Sequence, residues 1–123
     1  MSVIDDQLWL VSDRLSNARF NLASEKDLQD GIETVLSGHG WPYGREVRLD
    51  AQDRIDFLLG NGIGIEVKID KSLSAVTRQL HRYAQQPLIL GLLLVTTRMR
   101  LRALPPEFNG KPTRVVCLLG STL

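Results

Sequence analysis

Between Arg54 and Ile69 the chain reads RIDFLLGNGIGIEVKI, two alternating runs joined by Gly60-Asn61-Gly62. Ile55, Phe57 and Leu59 in the first run, and Ile63, Ile65, Val67 and Ile69 in the second, recur at every second position. That is the period of a strand with one buried face. A three-residue loop pairs Leu59 with Ile63, Phe57 with Ile65 and Ile55 with Val67, keeping every apolar side chain on one side of the sheet. A two-residue Asn-Gly turn is a strong hairpin signal by itself, but it slips the register by one and sets Phe57 across from Glu66. Burial of the apolar face outweighs the turn preference. The expected hairpin therefore places Asp56 directly opposite Glu66 on its polar side.

Two opposed carboxylates repel, and cross-strand pairs of this kind contribute about 0.2–1 kcal/mol in either direction. Lys68 lies on the same side as Glu66, and Arg54 is near enough to help offset the charge. Two readings fit. One is a solvated sheet face with a mixed-sign lattice, in which Asp56 pairs diagonally with Lys68. The other is a site for magnesium or manganese, hard cations that bind converging oxygen ligands.

Helical spacing of Ile4, Leu8, Val11 and Leu15 predicts an amphipathic helix over residues 5–17, with Trp9 and Leu10 widening its apolar face or serving a partner. Ser24 is a good N-cap for a second helix running to about Ser37, where Gly38-His39-Gly40 breaks it. Trp41-Pro42-Tyr43-Gly44 reads as a loop, and Glu46 to Leu49 as a short strand. After the hairpin, Leu73, Val76, Leu80, Tyr83 and Ala84 share one face of a helix from Ser72 to about Gln85, and Pro87 stops it. Leu88 to Thr97 has the aliphatic content of a strand buried on both faces. Leu104-Pro105-Pro106 is a loop, and Thr113 to Leu119 closes the chain as a strand. The order α-α-β-β-β-α-β-β predicts an α/β layer arrangement around a mixed central sheet.

At 123 residues the chain suits a single domain, residues 1–123. One cysteine, Cys117, excludes an internal disulfide framework and a cysteine-ligated zinc site. The run from Leu88 to Val95 is too short to span a bilayer, and no basic, apolar secretory signal opens the chain. A soluble, cytoplasmic protein with no membrane partner is expected. Charge is unevenly placed: residues 1–69 hold 7 Lys/Arg against 12 Asp/Glu, and residues 70–123 hold 8 against 2. Lys71, Arg78, Arg82, Arg98, Arg100, Arg102, Lys111 and Arg114, with His81, either form a phosphate-facing surface or are scattered solubilising charges.

At about 100° per residue, Glu25 lies roughly 35° from the centre of the apolar face of the second helix, and Glu33 roughly 115° away. Glu25 thus points toward the sheet, either to a site or only as a helix-dipole partner. Gln79 sits on the flank of the later helix, four residues before Tyr83, to meet a site or water. His81 lies further round, and the two histidines are too far apart to form a histidine metal motif.

A helix with Glu25, then Asp56, then the triplet Glu66-Val67-Lys68, then a helix carrying Gln79 and Tyr83, then an aliphatic strand, resembles the PD-(D/E)XK nuclease superfamily. The resemblance covers residues 24–97 and is strongest over 54–83. It implies a restriction-endonuclease-like core and a magnesium-dependent endonuclease acting on DNA, with manganese able to substitute. By resemblance Asp56 and Glu66 are metal ligands, the Val67 carbonyl is a backbone ligand, and Glu25 acts on the metal directly or through water. Lys68 matches the lysine that positions or activates the attacking water. Gln79 matches a polar residue of the second core helix, and Lys71, Arg78, His81, Arg82 and Arg98 are the candidate nucleic-acid contacts. Ile55 stands where the family's nominal proline would be. Glu33 and Glu46 leave the choice of third carboxylate open. A lone core covers little DNA, so a homodimer or higher oligomer is expected. The competing readings are a nucleic-acid binding or assembly module that does not cut, and a structural subunit docking through Trp9 and Trp41.

Overall fold

The computed structural model describes residues 2–119. Helix α1 (Val3–Ser16) is opened by Ser2, whose hydroxyl and the Asp5 carboxylate form a reciprocal capping box. Helix α2 (Glu25–Gly38) is capped by Ser24, which accepts from the Asp27 N–H, and the chain leaves it through Gly40 at φ +71°. Strands β1 (Tyr43–Arg48), β2 (Arg54–Leu59) and β3 (Ile63–Val67) follow, then α3 (Leu73–Tyr83), β4 (Gly91–Thr96), a 3-10 turn (Met99–Ala103), β5 (Glu107–Phe108) and β6 (Lys111–Cys117).

The six strands form one mixed sheet in the order β1-β2-β3-β4-β6-β5. Neighbours β1/β2, β2/β3 and β5/β6 are antiparallel, while β3/β4 and β4/β6 are parallel. Helix α3 makes the crossover that a parallel β3/β4 pair needs. The expected α/β class with a mixed, helix-flanked sheet holds, with β5 as an additional strand.

Both sheet faces are covered, which the alternating pattern did not indicate. Leu8, Val11 and Leu15 of α1 and Leu28, Ile32 and Leu36 of α2 pack on Phe57, Leu59, Ile63, Ile65 and Val67. On the other side Val76, Leu80 and Tyr83 of α3 pack with Ile55, Leu92 and Leu94. Each large apolar side chain so buried contributes about 1.5–3 kcal/mol, enough to seal what the sequence presents as a polar face.

Several boundaries move. Tyr43 and Gly44 belong to β1, not to the preceding loop. Strand β4 begins at Gly91, because Leu88 and Leu90 are 65% and 50% exposed in the connection from α3. Strand β6 ends at Cys117. Trp41 is partly buried against the α1/α2 core and stacks on His39 at 4.5 Å, so only Trp9 offers the exposed indole of a docking residue.

The hairpin register is the expected one, Phe57 opposite Ile65 and Leu58 opposite Gly64. Gly62 turns the chain at φ +90°, with its N–H on the Leu59 carbonyl at 3.0 Å. A Cβ there would also lie 2.7 Å from Leu90 Cγ. Gly62→Ala is therefore expected to cost about 1–2 kcal/mol through the backbone alone, seen as a lower urea midpoint with an unchanged slope.

Ile55 departs from the expected side. It belongs to the α3 core, beside Ile89 and Leu92 around Gly64, whereas Phe57 and Leu59 belong to the α1/α2 core. The side-chain phase of β2 thus changes at Asp56. Strand β1 changes in step: Arg45 faces α2, Val47 packs with the α3 core, and Glu46 between them has φ +56°.

Candidate metal centre

The phase change lies where the carboxylates are. Strand β1 pairs Arg45 with Phe57 and Val47 with Ile55, so Glu46 falls opposite Asp56. The β2/β3 register carries Asp56 on to Glu66. Glu46, Asp56 and Glu66 form a row across three adjacent strands. At the Asp56/Glu66 step side chains take over from the backbone ladder: the Asp56 N–H donates to Glu66 Oε1 at 3.1 Å, and the Val67 N–H to Asp56 Oδ2 at 2.8 Å.

Glu66 is only 2% exposed. Its Oε2 accepts from Lys68 Nζ at 3.1 Å, and the Tyr83 hydroxyl lies 3.1 Å from the same oxygen. That hydroxyl also lies 2.9 Å from the Arg54 carbonyl, so one proton serves two acceptors, while Gln79 Nε2 donates to it at 2.8 Å. Gln79 therefore reaches Glu66 through Tyr83. The tyrosine hydroxyl, read in the sequence as core and as a motif position, is the residue whose contact sequence reasoning missed; its spacing from Gln79 was the available signal.

Burial pushes the Glu66 carboxyl up to about 7, with the Asp56 charge adding and Lys68 partly offsetting. Burial likewise raises Asp56; the Val67 N–H and Lys68 oppose the shift, and Glu46 and Glu25 add to it. Burial and the Glu66 carboxylate raise Tyr83, keeping it a protonated donor. Among the described residues only one cation, Lys68, lies on Glu66, so full ionisation of both carboxyls is disfavoured.

Glu25, first residue of α2, accepts the Ile69 N–H on Oε2 at 2.9 Å, joining the helix to the chain just after Lys68. Glu46 is held loosely, 3.8 Å from Arg54, and its left-handed backbone is a strain on the order of 1–2 kcal/mol. Glu33 lies elsewhere: the Tyr43 hydroxyl and the Arg45 guanidinium bind it at 2.7 and 2.8 Å and hold it below the usual carboxylate range. Of the three candidates for a third carboxylate, Glu25 and Glu46 border Asp56.

Among the described residues, no three of Asp, Glu, His and Cys converge tightly enough to cage a metal by side chains alone. Magnesium does not require such a cage, since it keeps several waters and binds through one or two carboxylates and substrate phosphates. Asp56 and Glu66 offer adjacent hard-oxygen donors, the ligand type a divalent cation binds.

The candidate nucleic-acid residues divide. Lys71 precedes α3, while Arg78 and His81 are exposed on it beside Phe108; none has a side-chain ion pair among the described residues. Arg98 donates to the Ile69 carbonyl at 2.9 Å and Arg100 to that of Lys71 at 3.1 Å, bracing the segment that follows Lys68. Arg82 is held by Asp53, and Lys111 by the Gln86 carbonyl.

No family model, no curated protein and no solved structure matches this chain. Among the described residues no helix is long and apolar enough to cross a membrane.

Proposed function

We propose that this chain is a metal-dependent endonuclease with a PD-(D/E)XK core that hydrolyses DNA phosphodiester bonds. The observation that carries this reading is the pairing of Asp56 and Glu66 across the β2/β3 step, with Lys68 on Glu66 and Glu25 tied to the next residue. The helix, three antiparallel strands, helix and parallel strand that surround the pair support it.

Asp56 and Glu66 would hold magnesium, with Glu25 or Glu46 at its border and the Val67 carbonyl as the backbone donor that the resemblance implies. When bound, the ion supplies an activated water and neutralises charge on the phosphoryl oxygens. Lys68 Nζ orients the attacking water and stabilises charge in the transition state. Tyr83, fixed by Gln79, keeps the Glu66 carboxylate in place through a donor that stays protonated near neutral pH. Lys71, Arg78 and His81 bind strand phosphates, which position the substrate without reading its sequence.

Cleavage of a panel of single-stranded, duplex, flap, nicked and four-way-junction DNA with Mg²⁺ or Mn²⁺ tests the proposal. Activity on at least one form is expected, lost in Asp56→Ala and Lys68→Ala. Variants as active as wild type would sink the site assignment. One observation favours a binding module without activity: each Glu66 oxygen already has protein donors. A wild type inert on every DNA form, with no Mg²⁺ binding by calorimetry, would support that alternative. Light scattering with and without DNA reads the expected homodimer.

A further inference from the structure

The turn between β1 and β2 and the first residue of β2 are fastened at three points to α3 and the segment that follows it. Arg82 Nε lies 3.3 Å from both Asp53 carboxylate oxygens, and its Nη2 lies 3.3 Å from Oδ1. The Tyr83 hydroxyl meets the Arg54 carbonyl at 2.9 Å, and Gln86 Nε2 donates to Asp50 Oδ2 at 2.8 Å. Asp53 is 6% exposed, while its guanidinium partner is about half exposed. A forked guanidinium–carboxylate contact fixes direction as well as distance, and removing one member strands a buried charge.

The place of this pair gives it a role. Asp53 precedes β2 and lies three residues before Asp56. Downstream of Asp56 the strand is fixed by the Phe57/Ile65 pairing, and upstream Ile55 has crossed to the α3 face. Asp56 is therefore held from both sides, and upstream the β1 ladder, through Val47/Ile55 and Arg48/Arg54, shares the hold with α3. Release of Asp53 would remove the side-chain part of the α3 hold and let the Asp56 carboxylate shift relative to Glu66, with the β1 ladder and the Ile55 packing still in place.

We infer that Asp53 and Arg82 form a positioning pair, through which α3 sets the place of Asp56 relative to Glu66. The inference rests on the proposed metal-dependent nuclease. It removes Arg82 from the phosphate-binding set and leaves Lys71, Arg78 and His81 in it.

The test uses the full chain with Arg82→Lys, Arg82→Gln, Asp53→Asn and the Asp53→Asn/Arg82→Gln double variant. Each variant is assayed well below its own melting temperature. Each single variant is expected to lower kcat and weaken Mg²⁺ binding by calorimetry about 10- to 100-fold, with the KM for DNA and its salt dependence unchanged. The double variant should be no worse than either single one, as expected of residues acting as a unit. Lysine keeps the charge but not the fork, so a phosphate contact would survive Arg82→Lys and a positioning contact would not. The inference is overturned if Arg82→Gln raises the KM and flattens the salt dependence while Asp53→Asn behaves as wild type. Variants that only melt earlier, with unchanged kcat and Mg²⁺ affinity, also overturn it. A wild type that neither cuts nor binds Mg²⁺ removes the nuclease reading and this inference with it; a wild type that does both, matched by its variants, removes this inference alone.

Discussion

Glutamine in place of Glu66 is expected to abolish Mg²⁺-dependent cleavage and to remove most of the fall in metal-free stability between pH 5 and 8. The two effects share a cause. Glu66 is a buried carboxylate facing another carboxylate, and burial, with the Asp56 charge adding, pushes its pKa up to about 7. Glutamine keeps the volume and can still accept the Asp56 N–H, but its NH2 then faces Lys68 Nζ, it does not titrate, and it cannot supply anionic oxygen to a metal. Residues that merely support a metal ligand cost about 10- to 100-fold when removed, so loss of the ligand should exceed about 100-fold in kcat. Paired cleavage assays and thermal melts read both quantities. A variant as active as wild type, or one whose metal-free stability falls as steeply between pH 5 and 8, would remove Glu66 from the role assigned to it.

The metal-free wild type should lose stability as pH rises from about 5 to 8, opposite to the usual behaviour of a carboxylate in an ion pair. An ordinary glutamate titrates near 4.5, and Glu66 in the folded chain near 7. Between those values the folded state binds more protons than the unfolded state, so stability falls with pH. The favourable contribution is complete below the unfolded value and is gone once pH passes the folded one. The shift corresponds to on the order of 3 kcal/mol, or about 10 °C in melting temperature for a domain of this size. Asp56, also raised by burial, acts in the same direction. At pH 8, Mg²⁺ at about 1,000 times its Kd should restore about 4 kcal/mol, and should do much less for Glu66→Gln. Melts at pH 5 and 8, with EDTA or Mg²⁺, provide the check; a flat metal-free profile would contradict the assigned environment of Glu66.

Much of the layout was legible because its determinants are local. Ser24 caps α2, Gly60-Asn61-Gly62 marks the turn, and the alternation from Phe57 to Val67 fixes the register that sets Asp56 against Glu66. Alternation misled at Ile55, because an aliphatic side chain is equally suited to either of two buried faces. It also made Glu66 read as half exposed, since the covering Tyr83 comes from a helix that the hairpin pattern does not mention. Glu46 could have been placed by extending the register across β1, but the loop assigned to Tyr43 and Gly44 hid that strand's length. Arg82 offered no local signal at all. Its partner Asp53 lies in a turn 29 residues away and is found only once α3 packs on the sheet.

Where β2 meets β3, two main-chain amides are bonded to carboxylates instead of carbonyls. Such amides sense the protonation of their acceptors directly, as changes in chemical shift and in solvent-exchange rate. The Asp56 and Val67 N–H groups are thus built-in spectroscopic reporters of the site's charge, with no label to perturb it.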